Sequence, residues 1–201
     1  MAAKSNLTNM VLVLGLTCLF CSAVLGGAYV LTKEPIDAAA AEKTQRAVAQ
    51  VLPAFEKASE RDFVEVYGKD FPYYKACEAD GSLAGYAIES TVVGFGGNLT
   101  LMVGVTPDRV VYNTSVLSHS ETPGLGAKCT SDAKFMEQWK GFDPSVKKLV
   151  VKKDGGDVDA ITASTITSRA YTLAVENALA AFDALMQDHV DEINGGGKDN
   201  E

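Results

Sequence analysis

Histidine is almost missing from this chain. Its 201 residues include two, His119 and His189, and neither has cysteines or carboxylates around it at metal-ligand spacing, so no metal centre is expected. Basic residues are also short: 18 lysines and arginines face 26 aspartates and glutamates, a formal charge of −8. A chain so charged has little with which to displace counterions from phosphates, which argues against a nucleic-acid partner. No P-loop lysine pattern occurs, no G-x-G-x-x-G sits between a strand and a helix, and no G-x-S-x-G elbow or Ser/His/Asp set is present. A nucleotide-fold enzyme or a self-contained hydrolase is therefore not expected.

Charge is missing altogether from one long stretch. Met10 to Leu31 reads MVLVLGLTCLFCSAVLGGAYVL, and at a helical rise of about 1.5 Å per residue it spans a hydrocarbon core of about 30 Å. The sequence predicts an uncleaved single-pass anchor. The competing reading is a signal peptide with Gly26-Gly27-Ala28 as the cleavage site, but the run exceeds the 7–15 apolar residues of a signal core. Lys4 before the run and Lys33 after it give a weak orientation signal. There are four cysteines. Cys18 and Cys21 form a C-x-x-C spacing inside the apolar run, where cysteine acts as a small apolar residue. Thr17 and Phe20 precede them, which is no lipoprotein context. Cys77 and Cys129 could pair in an oxidising compartment, and the sequence leaves that open.

What is present, beyond the anchor, divides readily. Residues 1–9 are expected to be a cytoplasmic N-terminus, 10–31 the transmembrane helix, 32–60 a helical stalk, 61–193 one α+β domain and 194–201 a disordered tail. In the stalk, Ala47, Val48, Val51, Leu52 and Phe55 recur at helical spacing, and Pro53 should end or kink the helix. From Asp62 onward FVEVYG, FPYYKACEAD, LAGYAIEST, NLTLMVGV and RVVYNTSVLSHSE read as strands, the last with uncertain phase. A short helix is expected over 132–139 and a strand at KKLVVKK. A long helix should run from about Ile166 to Ile193, with Leu173, Ala174, Leu179, Phe182, Leu185 and Met186 on its apolar face.

Two stretches carry chemistry. TASTITS, Thr162 to Ser168, crowds five hydroxyls at the start of the last helix. A helix N-terminus offers unpaired N–H groups and a positive dipole end, a natural seat for a phosphate. On the residues alone, the leading explanation is plainer: Thr162 or Ser164 caps the helix and the other hydroxyls are solvated. In SHSETPGLGAK, Pro123 fixes φ while Gly124 and Gly126 leave room for a flat ligand; alone it could equally be a turn. VVGFGG is a glycine-rich strand end against which a ligand edge could lie.

Taken together the two stretches resemble a known family. D-A-I-T-A-S-T, Asp159 to Thr165, resembles the flavinylation motif of the FMN-binding domain family, and E-T-P-G-L-G, Glu121 to Gly126, resembles its flavin-contacting loop. Their order, their separation and the single anchor are similar to the G subunits of Rnf electron transport complexes. The resemblance implies one covalent FMN, joined through its phosphate to the hydroxyl of Thr165. Asp159, Thr162, Ala163 and Ser164 would be the motif read by a separate flavin transferase, and Glu121, Thr122, Leu125 and Gly126 would lie beside the isoalloxazine or its linker. The usual Gly-Ala before the threonine is Ala163-Ser164 here.

The resemblance further implies an electron relay without a substrate site of its own. It would work with other Rnf subunits in a bacterial cell membrane, within a ferredoxin:NAD oxidoreductase coupled to sodium or proton translocation. Its C-terminal domain would lie on the periplasmic or outer side. The alternatives are the C subunit of the sodium-pumping NADH:quinone reductase, which shares the domain, and an anchored extracellular module without a cofactor.

Overall fold

The computed structural model describes residues 7–195. Two compact units divide the chain, Met1–Lys43 and Thr44–Glu201. The expectations for residues 1–6 and for the tail beyond 195 lie outside the described residues.

Helix α1 runs Leu7–Val51. Along its first unit every described side chain is exposed, Leu14, Phe20 and Leu25 among them. This is the one helix among the described residues long and apolar enough to cross a membrane. Its polar side chains suit such surroundings: Thr17 Oγ1 donates to the carbonyl of Val13 at 2.9 Å and Thr32 Oγ1 to that of Ala28 at 2.8 Å, so neither hydroxyl needs a partner from outside the helix.

The second unit is built on a six-stranded antiparallel sheet. Its strands are β1 (Lys57–Ala58), β2 (Asp62–Val66), β3 (Lys69–Cys77), β4 (Leu83–Val93), β5 (Asn98–Val105) and β6 (Val111–His119), ordered β1-β3-β4-β5-β6, with β2 also on β3. Strand alternation decides the layers. On β5, Leu99, Leu101, Val103 and Val105 face one core with Tyr86 and Ile88 of β4, whereas Met102 faces a second with Ala87. The final helix, α3 (Thr165–Gly195), covers the first core through Tyr171, Ala174, Val175, Ala178, Phe182 and Leu185. Ala47, Val48 and Val51 of α1, with Leu52 beyond it, cover the second. Fully burying Val51 or Leu52 is worth about 1.5–3 kcal/mol each, enough to hold this helix end on the sheet.

The stalk expectation therefore needs correction. Helix persists only to Val51, two residues before Pro53, and β1 lies inside the span 32–60. The last helical turns and Phe55 are part of the globular unit. KKLVVKK is not a strand either. Val151 makes an isolated bridge to Val158, and Lys152–Asp154 coil into a 3-10 turn closed by Gly155 at φ 84°. The uncertain phase of β6 has a physical cause: register shifts opposite Thr100/Leu101 and Gly104/Val105 interrupt the alternation. On α3, Leu173 is 48% exposed, since Tyr171 and Val175 take the buried face instead. The expected short helix is α2 (Ala133–Glu137), capped by the Asp132 carboxylate, which accepts from the Phe135 N–H. Phe135, Trp139 and Tyr171 pack together, with Trp139 stacked on Tyr171 at 5.1 Å. The Tyr171 hydroxyl lies 2.7 Å from Thr114 Oγ1, fixing the start of α3 against β6. Cys77 and Cys129 are both free thiols.

Candidate functional site

The hydroxyls of TASTITS have different tasks. Ser168 Oγ accepts from the Ile161 N–H at 2.9 Å and donates to the Ser164 carbonyl at 2.9 Å, which closes the loop onto the first turn of α3. Thr167 Oγ1 donates to Glu121 Oε2 at 2.9 Å. Thr162 is exposed. Ser164 is buried, and its Oγ has no hydrogen-bond partner among the described residues, so it does not make the side-chain cap that the residues alone allowed for. Thr165 opens the helix and is half-buried. Just before it, Ala163 sits at φ 62°, a left-handed conformation that favours glycine, at the position where the motif usually has one.

Glu121 ties this turn to two distant segments. It is 5% exposed, yet its carboxylate bonds to neutral donors only: the Phe95 N–H gives 2.8 Å to Oε1 and Thr167 gives its hydroxyl to Oε2. Its own N–H donates to His119 Nδ1 at 3.2 Å, so His119 serves the loop's geometry. Two glycines make room for the carboxylate. A Cβ on Gly94 would overlap Glu121 Oε1, and one on Gly126 would meet Thr167 Oγ1 at 2.6 Å and Glu121 Oε2 closer still. The charge is also felt at Cys129, whose thiol is pushed up to about 11, first by burial and then by Glu121.

Around this carboxylate lies a cavity of about 290 Å³ lined by both motifs: Glu121, Thr122, Leu125 and Gly126 from one, Ala163 to Thr167 from the other, and Phe95 from the β4–β5 turn. Phe95, Leu125 and Ile166 form an apolar rim, and all three are substantially exposed. A flat aromatic group suits that rim, and an anionic oxygen suits the hydroxyls at the head of a long helix. The residues present therefore fit FMN. The unpaired, buried Ser164 hydroxyl is the observation that favours the fit; the space beside Gly126, expected to admit a flat ligand, is instead filled by Glu121 and Thr167.

The structure brings together Glu121, Thr122, Leu125, Gly126, Ala163, Ser164 and Thr165. Asp159 and Thr162 stay outside the cavity. Asp159 instead anchors the loop: Lys152 Nζ pairs with its carboxylate at 2.9 Å and holds it below the usual carboxylate range. Gln138 brackets its backbone, accepting from the N–H at 2.7 Å and donating to the carbonyl at 3.0 Å. Sequence reasoning missed Phe95, Ile166 and Thr167. The first was signalled by VVGFGG and the others by their place in the hydroxyl cluster.

A family model for the FMN-binding domain matches residues 94–180, the span that contains the whole cavity. The chain is similar to the G subunit of the ion-translocating oxidoreductase complex of Methanosarcina acetivorans, 30% identical over 188 residues covering 89% of this chain and 96% of the relative. It is also similar to the G subunit of the proton-translocating ferredoxin:NAD(+) oxidoreductase complex of Clostridium ljungdahlii, 34% identical over 170 residues, with 83% and 86% covered. Among solved structures, the C subunit of the Na(+)-translocating NADH-quinone reductase of Parabacteroides distasonis shares the fold, with a TM-score of 0.50 at 22% identity over 72% of this chain and 83% of that one. Two motifs that meet in one cavity, inside the matched domain and following an apolar helix in the sequence, agree with relatives that align along nearly their full length: the chain belongs to the family of G subunits of ion-translocating oxidoreductase complexes.

Proposed function

We propose that this protein is a membrane-anchored electron-transfer subunit of an Rnf-type complex, with one FMN esterified to Thr165. The observation that carries the reading is the position of Thr165. It is half-buried at the first residue of α3, on the edge of a cavity lined by both motifs. Accessibility supports it over its neighbour, because Ser164 is buried. In the attachment step the Thr165 hydroxyl loses its proton, a phosphoester bond forms to the FMN half of FAD, and AMP leaves. A flavin transferase would perform this step. Outside the cavity, exposed Thr162 and half-buried Asp159, the latter paired with Lys152, would be the residues offered for recognition.

When bound, the isoalloxazine supplies the redox chemistry. The chain's own residues hold and shield it. Phe95, Leu125 and Ile166 would cover apolar ring surface, Thr122 would offer a hydroxyl, and the head of α3 would favour the phosphate's charge, an effect worth about 0.3–1 kcal/mol at an exposed site. Residues 10–31 would span the membrane and place the domain on its periplasmic or outer side. Other subunits would deliver and remove electrons between ferredoxin and NAD, coupled to sodium or proton translocation. The names of the relatives support the Rnf assignment over the quinone-reductase one.

The test is the intact mass of the protein from its native host beside a Thr165→Ala variant, with fluorescence of the denatured band. A mass increase equal to FMN, lost in the variant, is the expected result. A native protein without flavin, although the transferase is present, would end this reading.

A further inference from the structure

The cavity has an unexpected charge for a phosphate-bearing ligand. Among the described residues no lysine, arginine or histidine lines it, and the one ionisable side chain that does is Glu121. Cations nearby are engaged elsewhere: Arg169, one turn along α3 from Thr165, makes two bonds to Asp154 at 2.6 and 2.7 Å, and Lys152 pairs with Asp159. Lys128, on the turn after Gly126, does not line the cavity. The head of α3 attracts an anion, but Glu121 already accepts from Thr167 in that first turn. A carboxylate there opposes the pull of the helix on any second anion.

Free FMN carries a phosphate monoester of about −1.5 to −2 charges at neutral pH. A phosphodiester to threonine keeps a single negative charge. We propose that the cavity grips the isoalloxazine but repels the free phosphate, so that Glu121 and the lack of a cation make esterification the condition for retaining the flavin. The inference rests on the reading of FMN at Thr165 and deepens it. The ester lowers the charge that faces Glu121 and removes the entropic cost of rebinding, and the chain then needs no arginine clamp.

The experiment uses the full chain in detergent with Thr165→Ala, so that no ester forms, and riboflavin and FMN as probes, followed by quenching of flavin fluorescence. Riboflavin is expected to bind roughly fivefold or more tightly than FMN at low ionic strength, and the gap to narrow as salt screens the charges. Adding Glu121→Gln should close most of the gap. The salt titration stands on its own if that variant fails to fold. FMN binding as tightly as riboflavin, a gap insensitive to salt, a folded Glu121→Gln protein with the gap unchanged, or no binding of either probe would each overturn the proposal. The native mass separates the two readings: a flavinylated native chain whose unesterified variant prefers FMN defeats this inference and leaves the attachment at Thr165 standing.

Discussion

Ser164→Ala has opposite expected effects on the flavin-free and flavin-loaded protein. In the structure Ser164 Oγ is buried and has no partner. Leaving a buried polar group unsatisfied costs about 1–3 kcal/mol, and the alanine side chain fills nearly the same space. No cap is lost with the hydroxyl, since it makes no cap bond. The flavin-free variant should therefore gain about 1 kcal/mol, a rise in melting temperature of about 2–4 °C for a unit of this size. If FMN is esterified to Thr165 as proposed, a rotation about χ1 would offer the hydroxyl a phosphate oxygen, and the variant would lack that bond. The gain should then vanish or reverse. Thermal melts of full chain in detergent, with and without flavinylation, measure both arms. If the flavin-free variant is instead destabilised by about 1 kcal/mol or more, the hydroxyl caps α3 in solution and the reasoning fails.

Two further outcomes follow from the same turn and its surroundings. Ala163→Gly should stabilise the flavin-free fold by a few tenths to about 1 kcal/mol, because the residue sits at φ 62° and glycine carries no Cβ penalty there; a loss in chemical denaturation would show that the loop is held differently. The Cys129 thiol, ordinarily near 9.0, keeps its proton to about 11 in the fold. The folded chain thus holds the extra proton between those values, so this contribution is complete below pH 9 and is lost as pH rises to about 11. Cys129→Ala should flatten that part of the stability–pH curve, and the slope above about pH 10 from the Tyr171 phenol, raised by burial, should remain. Urea midpoints from about pH 8 to 11 decide it.

The elements legible in the sequence were those whose signal is local. An uncharged run, a helix that stops before Pro53 and hydroxyls heading a long amphipathic helix all appear as patterns in a short window. What escaped was set across the fold. Whether Leu173 or Tyr171 faces the sheet depends on the aromatic stack with Phe135 and Trp139. Asp159 belongs to the motif by sequence, but Lys152 and Gln138 draw it away from the cavity. Phe95 could not be read as a site residue until Glu121, far along the chain, was seen to hold its backbone. KKLVVKK has the apolar centre of a strand but no neighbouring strand with which to pair beyond one bridge.

The Glu121 junction has a consequence for biogenesis. It joins the β4–β5 turn, the loop after β6 and the head of α3, the last contact closing between residues 46 positions apart. None of these segments presents Thr165 in this setting until the sheet and the last helix have come together. A transferase that reads the assembled surface modifies folded chains and passes over unfolded ones, whereas one that reads the linear motif modifies both. In the first case the flavin serves as a certificate of maturation, and the ratio of flavin to polypeptide in a membrane preparation counts the molecules that completed folding.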